Sequence, residues 1–216
     1  MKMAVPIAAI SLLVFLTINV PIAMGLTAST LIYFIISNEL PIMVVAQRMV
    51  GAVESVPLLA IPFFVMLGTL MNYTGVSKRV MGFAEVLTGH MIGGLAQVNV
   101  LLSTLMGGLS ASSLADAAMQ SKMLVPEMVR YGYSKEFSAA VTAASAQITP
   151  IIPPGIALIV YGFIADVSIG KMFMAGVLPG ILICAAEMIA VHFVSKKRGY
   201  KPTRAKRATL SEVLVA

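Results

Sequence analysis

Residues 143–162 read AASAQITPIIPPGIALIVYG, and this stretch decides the fold. Small and hydroxylated residues lead into it, an apolar run leaves it, and Pro150, Pro153 and Pro154 stand between. A proline inside a helix has no N–H to donate and displaces the carbonyl four residues earlier. The carbonyls of Ala146, Thr149 and Pro150 are thereby released, and Thr149, Ile152 and Pro153, each preceding a proline, are driven out of helical geometry. The reading is a discontinuous helix over 134–168, broken at 149–154. A kink patched by neighbouring hydroxyls and water is the competing reading of the same prolines.

What surrounds the break sets its environment. Of the 216 residues, 59% are hydrophobic and only 11% charged, too little polar surface for a soluble domain. Residues 3–38, 55–77, 91–115 and 137–165 carry no charge, and 172–195 carries only Glu187. Each stretch can supply the roughly 20 apolar residues that span a bilayer. No soluble sequence follows the first segment, so it is read as retained rather than as a cleaved signal peptide. The single cysteine, Cys184, allows no intramolecular disulfide and reads as packing. The composition therefore predicts an all-α membrane protein, a polytopic helical bundle.

The first run is too long for one straight span: 36 residues make about 54 Å of helix against about 30 Å of hydrocarbon. Asn19, Pro21 and Gly25 predict two helices, Ala4 to Val20 and Ile22 to Ser37, with one tilted, kinked helix as the alternative. Residues 40–56, where Gln47, Arg48 and Glu54 sit among apolar residues, predict an interfacial amphipathic helix. Residues 1–75 are thus scaffold-type helices, 76–169 a transport-type element, 170–195 a final span, and 196–216 a basic cytoplasmic linker. Seven of the fifteen basic residues lie in 196–207. That is a topology signal and an attraction for anionic lipid rather than a nucleic-acid site. With the tail inside, Lys78, Arg79, Arg130 and Lys135 are also cytoplasmic, and the N-terminus is periplasmic.

Residues 91–129 hold two apolar arms around a small-residue centre, with GGLSASSLADAAM at 107–119. Asp116, Lys122 and Glu127 in the second arm suit a lipid-facing span poorly. A re-entrant helical hairpin is expected instead, although charge asymmetry alone does not separate it from two full spans. Ser110, Ser112 and Ser113 lie where the chain turns. Serine and freed carbonyl oxygens are hard ligands suited to sodium, and the N-terminus of the returning arm favours a carboxylate. Close helix packing by small residues is the alternative use of this centre. Two interrupted helices meeting at midplane are the pattern of secondary transporters.

At these residues, the serine-rich tip and the run PIIPP leading into IALIVYG, the chain resembles the large membrane (M) subunit of tripartite ATP-independent periplasmic (TRAP) transporters. The resemblance covers essentially the whole chain. It implies an elevator-type carrier that takes up small organic acids, such as C4-dicarboxylates, keto acids, sugar acids and sialic acid, by sodium symport in the bacterial inner membrane. The implied partners are a small four-helix membrane subunit and a periplasmic substrate-binding protein. No cofactor is implied beyond sodium as coupling ion.

Carried over by motif, the sodium site comprises Ser110 and Ser113 with carbonyls around Thr149, Ile152 and Pro153. Ser112 and Gly155 are substrate-proximal, and Asp116, Pro150 and Pro154 support the site. The pattern departs from the family at Ala111 and Thr149, where glycine is frequent, and at Gly155, where serine is. Family members are about twice as long and carry a second, inverted copy of the hairpin and broken helix. The expectation is therefore one of two inverted repeats, the N-terminal half, acting with a C-terminal half.

Other chemistries find less support. His90 and His192 have no second ligand at helical spacing. Ser110 with Asp116 lacks an obvious base for hydrolysis, so no enzyme is expected. A non-transporting assembly or scaffold subunit is the alternative function. Asp116 is expected to pair with Lys122 or to orient the hairpin.

Overall fold

A computed structural model of the chain describes residues 3–37, 41–110, 112–205, 207–208 and 212–213. Among them every regular element is a helix. The chain divides into two compact units, residues 1–56 and 57–216.

In the first unit, α1 (Ala4–Thr17) and α2 (Ile22–Ser37) pack side by side. The chain breaks over 18–21, as Asn19 and Pro21 predict. Asn19 takes the left-handed region at φ 62°, and the Val20 N–H reaches back to the Phe15 carbonyl at 3.0 Å, closing the end of α1. Gly25 of α2 seats against Leu12 and Phe15 of α1. Helix α3 (Met43–Glu54) supplies the amphipathic element expected at 40–56, although Leu40 lies outside the described residues.

In the second unit, α4 (Val56–Tyr73) and the amphipathic α5 (Val76–Thr88) precede the centre. That centre is α6 (Gly94–Ser110), which touches α5, α7, α8 and α10. Buried on all sides, it contributes Leu95, Ala96, Val98, Val100, Leu102 and Met106 to the core. Helix α7 (Ser113–Arg130) returns along it, so 17 and 18 residues form the two arms of a helical hairpin, each about 26 Å long. Helix α8 (Lys135–Ser145) ends before the prolines, and α9 (Ile156–Ile164) resumes after them. Among the described residues, α10 (Ile169–Arg198) is the one helix long and apolar enough to cross a membrane unaided.

Polarity is inverted relative to a soluble bundle. Outward faces of α1, α2, α4 and α10 expose Leu13, Ile22, Met24, Ile35, Phe63, Leu182 and Phe193, whereas Gln97, Asn99, Ser103, Gln120, Ser145 and Thr149 are completely buried. Apolar surface outside and hydrogen-bonded polar groups inside is the arrangement a lipid solvent selects.

At the end of α10, Gly199 adopts φ 74°, a region that favours glycine, and the Tyr200 N–H bonds the Ser195 carbonyl at 3.0 Å. The chain then folds back. Tyr200 stacks on Tyr133 at 4.2 Å and its hydroxyl accepts the Ser134 N–H at 3.1 Å. Arg198 lies 5.3 Å over the Phe137 ring. The N–H groups of Thr203 and Arg204 both bond the Gly89 carbonyl, at 2.9 and 3.0 Å. Residues 198–204 therefore clasp the α5–α6 and α7–α8 connections together.

Candidate functional site

Glycine decides how the hairpin meets the broken helix. A Cβ added to Gly107 in the last turn of α6 would lie 2.8 Å from the Ile152 Cβ and 3.2 Å from the Thr149 carbonyl oxygen. The Pro153 carbonyl faces the neighbouring Gly108 at 3.5 Å, measured in the same way. Opposite them, α10 contributes Gly176 and Gly180, a G-x-x-x-G pair whose added Cβ atoms would come within 2.6 Å of the Ile151 carbonyl and 2.5 Å of the Ile152 side chain. Small residues at four-residue spacing let backbones approach closely. The irregular segment is thus seated against glycines of both helices, directly below the hairpin tip.

The released carbonyls follow the proline argument. Among the described residues, those of Ala146, Thr149 and Pro150 accept no backbone hydrogen bond, while the Ile148 carbonyl takes the N–H groups of both Ile151 and Ile152. The Pro153–Pro154 peptide is cis. Two helix N-termini also begin here. Ser112 caps α7, its hydroxyl accepting the Ala115 N–H at 3.4 Å, and Gly155 caps α9 with no side chain to offer. Their first N–H groups, at Ser113, Leu114, Ile156 and Ala157, have no backbone acceptor among the described residues. Such ends attract anions.

Beneath the tip runs a buried polar seam. Asp116, 1% exposed in the first turns of α7, accepts three hydrogen bonds at Oδ2. They come from the Ser103 hydroxyl of α6 at 2.7 Å, the Gln120 amide at 2.8 Å and the Thr149 hydroxyl at 3.0 Å. The Gln120 amide also donates to the Ser103 hydroxyl. A second node lies farther down α6, where the Asn99 amide donates to the Thr142 hydroxyl at 2.9 Å and the Ser145 hydroxyl donates to Asn99 Oδ1 at 2.8 Å.

The structure brings Gly107, Gly108, Thr149, Ile152, Pro153 and Asp116 together. Ser113 and Ser112 open the returning arm beside them, half-buried. Ser110 closes α6, its side chain and all of Ala111 lying outside the described parts. Pro150 and Pro154 flank the seated segment, and the Pro150 carbonyl packs against Gly155. Lys122 is not Asp116's partner; it is exposed. Six residues on, it projects about 120° round the helix from Asp116.

A family model described as the tripartite ATP-independent periplasmic transporter, DctM component, matches residues 9–215. The chain belongs to that family. Over 182 residues it is 40% identical to the sialic acid TRAP transporter large permease protein SiaM of Vibrio cholerae, covering 84% of this chain and 43% of that protein. Identity to the sialic acid TRAP transporter permease protein SiaT of Haemophilus influenzae is 40% over 200 residues, 93% of this chain and 32% of the relative. The 2,3-diketo-L-gulonate TRAP transporter large permease protein YiaN of Escherichia coli is 36% identical over 198 residues, with coverages of 92% and 46%. The chain therefore spans less than half the length of each of these relatives.

For a TRAP permease chain, the motif reading named Asp116 and Thr149 but missed their partners in the polar seam, Ser103 and Gln120, and the node at Asn99, Thr142 and Ser145. Asn99 and Ser103, Asp116 and Gln120, and Ser138, Thr142 and Ser145 repeat at three- or four-residue spacing on their helices, and Thr149 continues the last series just beyond α8. That periodicity marks one face per helix and was the available signal.

Proposed function

We propose that this chain forms one half of the carrier in a sodium-coupled TRAP system for small organic acids. The relatives named above are permeases, two of them for sialic acid and one for 2,3-diketo-L-gulonate, both organic acids. The observation that carries the reading is the seating of the Thr149 and Pro153 carbonyls against Gly107 and Gly108 in the last turn of α6, beside the serine tip. Sodium is a hard cation and takes such oxygens. On this reading it binds the Thr149, Ile152 and Pro153 carbonyls together with oxygens of Ser110 and Ser113, and so closes the hairpin onto the break. The substrate carboxylate meets the N–H groups that begin α7 and α9 at Ser112 and Gly155.

The hairpin is re-entrant, and a second, inverted copy in the rest of the permease completes the site. The assembled carrier moves by an elevator mechanism in the bacterial inner membrane, its basic end cytoplasmic and its N-terminus periplasmic. A small four-helix subunit and a periplasmic binding protein work with it.

Uptake by the assembled permease in proteoliposomes tests the assignment. Ser110→Ala with Ser113→Ala is expected to abolish sodium-dependent uptake, and unchanged uptake removes these residues from the site. A non-transporting scaffold predicts no thermal stabilisation by sodium. A native-state sodium site predicts about 2.7 kcal/mol at a hundredfold excess over its dissociation constant.

A further inference from the structure

We infer that Asp116 is a positioning residue that fixes the aim of the Thr149 carbonyl, and through it the affinity for the coupling ion; the inference rests on the sodium-site reading above. Thr149 works in two directions. Its hydroxyl donates to Asp116 Oδ2 at 3.0 Å, with the Ser103 carbonyl as a second acceptor at 3.3 Å. Its own carbonyl faces the last turn of α6 at Gly107 and accepts no backbone hydrogen bond among the described residues. Thr149 precedes Pro150, whose ring leaves it without helical restraint. Asp116 supplies an anchor instead, from a different helix.

The same carboxylate oxygen also holds Ser103 of α6, two turns below the tip, and Gln120 of its own helix. One atom therefore sets the mutual position of the outgoing arm, the returning arm and the break. All four residues are completely or almost completely buried, so water does not replace these bonds. Groups that orient a metal's ligands commonly change its affinity by 10- to 100-fold when removed.

The test is sodium-dependent uptake by the permease reconstituted with its partner subunits, read as the half-saturating sodium concentration and the maximal rate separately. Asp116→Ala and Thr149→Val are each expected to raise half-saturating sodium about tenfold or more. The maximal rate is expected to fall less, and the double variant to be little worse than either single one. Asp116→Asn, whose amide oxygen accepts the same bonds, and Thr149→Ser, which keeps the hydroxyl, are expected to stay near the wild-type value. Where Asp116→Ala does not fold, the Thr149 pair and Asp116→Asn carry the comparison. Sodium-dependent wild-type uptake with half-saturation unmoved by Thr149→Val overturns the inference alone, as does additivity of Asp116→Ala and Thr149→Val. Wild-type uptake indifferent to sodium overturns the coupling-ion reading and this inference with it.

Discussion

Gly107 and Gly108 are neighbours in the last turn of α6, yet alanine at the two positions has opposite consequences. At Gly107 the new Cβ would sit 2.8 Å from the Ile152 Cβ, and carbon atoms prefer 3.5–4.0 Å, so the two must part by about 1 Å. Ile152 cannot rotate away, because its Cβ is bonded directly to the backbone and its Cγ1 already lies against Gly180 of α10. Overpacking of this kind costs about 1–3 kcal/mol, offset by up to about 1 kcal/mol from replacing a helical glycine. Gly107→Ala is therefore expected to lose about 1–2 kcal/mol, a fall in melting temperature of about 2–8 °C for a chain of this size. At Gly108 the Cβ would meet Pro153 O at 3.5 Å and Pro154 Cδ at 3.9 Å, ordinary contacts, so Gly108→Ala leaves the melting temperature unchanged or slightly raised. Thermal unfolding of the purified protein measures both. Ile152→Ala, which keeps the offending Cβ, does not rescue Gly107→Ala, whereas Ile152→Gly does, visible as non-additivity. Equal melting temperatures for Gly107→Ala and Gly108→Ala would refute the seating geometry.

Three further outcomes follow from other parts of the fold. Asn99→Leu takes the amide donor from the Thr142 hydroxyl and leaves the Ser145 hydroxyl only the Thr142 carbonyl at 3.3 Å, and is expected to cost about 1–3 kcal/mol. Adding Thr142→Val and Ser145→Ala should recover most of that in the same unfolding assay, since no polar group is then stranded. Tyr200→Ala removes the 4.2 Å stack on Tyr133 and the bond from the Ser134 N–H, so hydrogen exchange and proteolysis at residues 199–204 should accelerate; Tyr200→Phe keeps the stack and loses only about 0.5–1.5 kcal/mol. Burial pushes the Tyr133 phenol up to about 12, although the Leu95 and Ala96 N–H groups lie near its oxygen without reaching hydrogen-bond geometry. Its contribution is whole below pH 10 and is lost as pH rises through about 12, so Tyr133→Phe should flatten the alkaline fall in melting temperature.

The proline break was legible because its cause is covalent. Pro150, Pro153 and Pro154 remove N–H groups wherever the chain goes, and the carbonyls they release can be counted from sequence. The turn at Asn19 and Pro21 was legible for the same local reason, although α1 stops at Thr17 rather than Val20. Polar partners were not legible in this way. Ser103 finds Asp116 across 13 residues, Thr149 finds Asp116 across 33 and Ser145 finds Asn99 across 46, distances at which sequence spacing carries no register. For Asp116, charge pointed to Lys122 while helix geometry pointed to Gln120 four residues on, and in a buried seam geometry prevails. The clasp was hidden for another reason: the basic residues of 196–207 dominate its composition, whereas the contacts are made by Tyr200 and by backbone N–H groups of Thr203 and Arg204.

The seam also bears on why a chain dissolved in lipid keeps so many polar groups inside. Hydrogen bonds between membrane helices average only about 0.6 kcal/mol, so Asn99, Ser103, Asp116 and Thr149 add little stability that close packing could not supply. What they add is register. An apolar seam of Leu and Ala tolerates sliding by a fraction of a turn. A carboxylate oxygen holding three donors from three segments does not, because any slide strands a buried donor. The glycines act in the same sense from the other side, since Gly107, Gly176 and Gly180 leave room for Thr149, Ile151 and Ile152 where a Cβ would collide with them. Polar seam and glycine seat together convert a locally unrestrained stretch, Thr149–Pro153, into one with a defined place against the hairpin tip. The segment is thus held from neighbouring helices, by the Thr149 bond to Asp116 and by the glycine seat, rather than by a regular helix of its own.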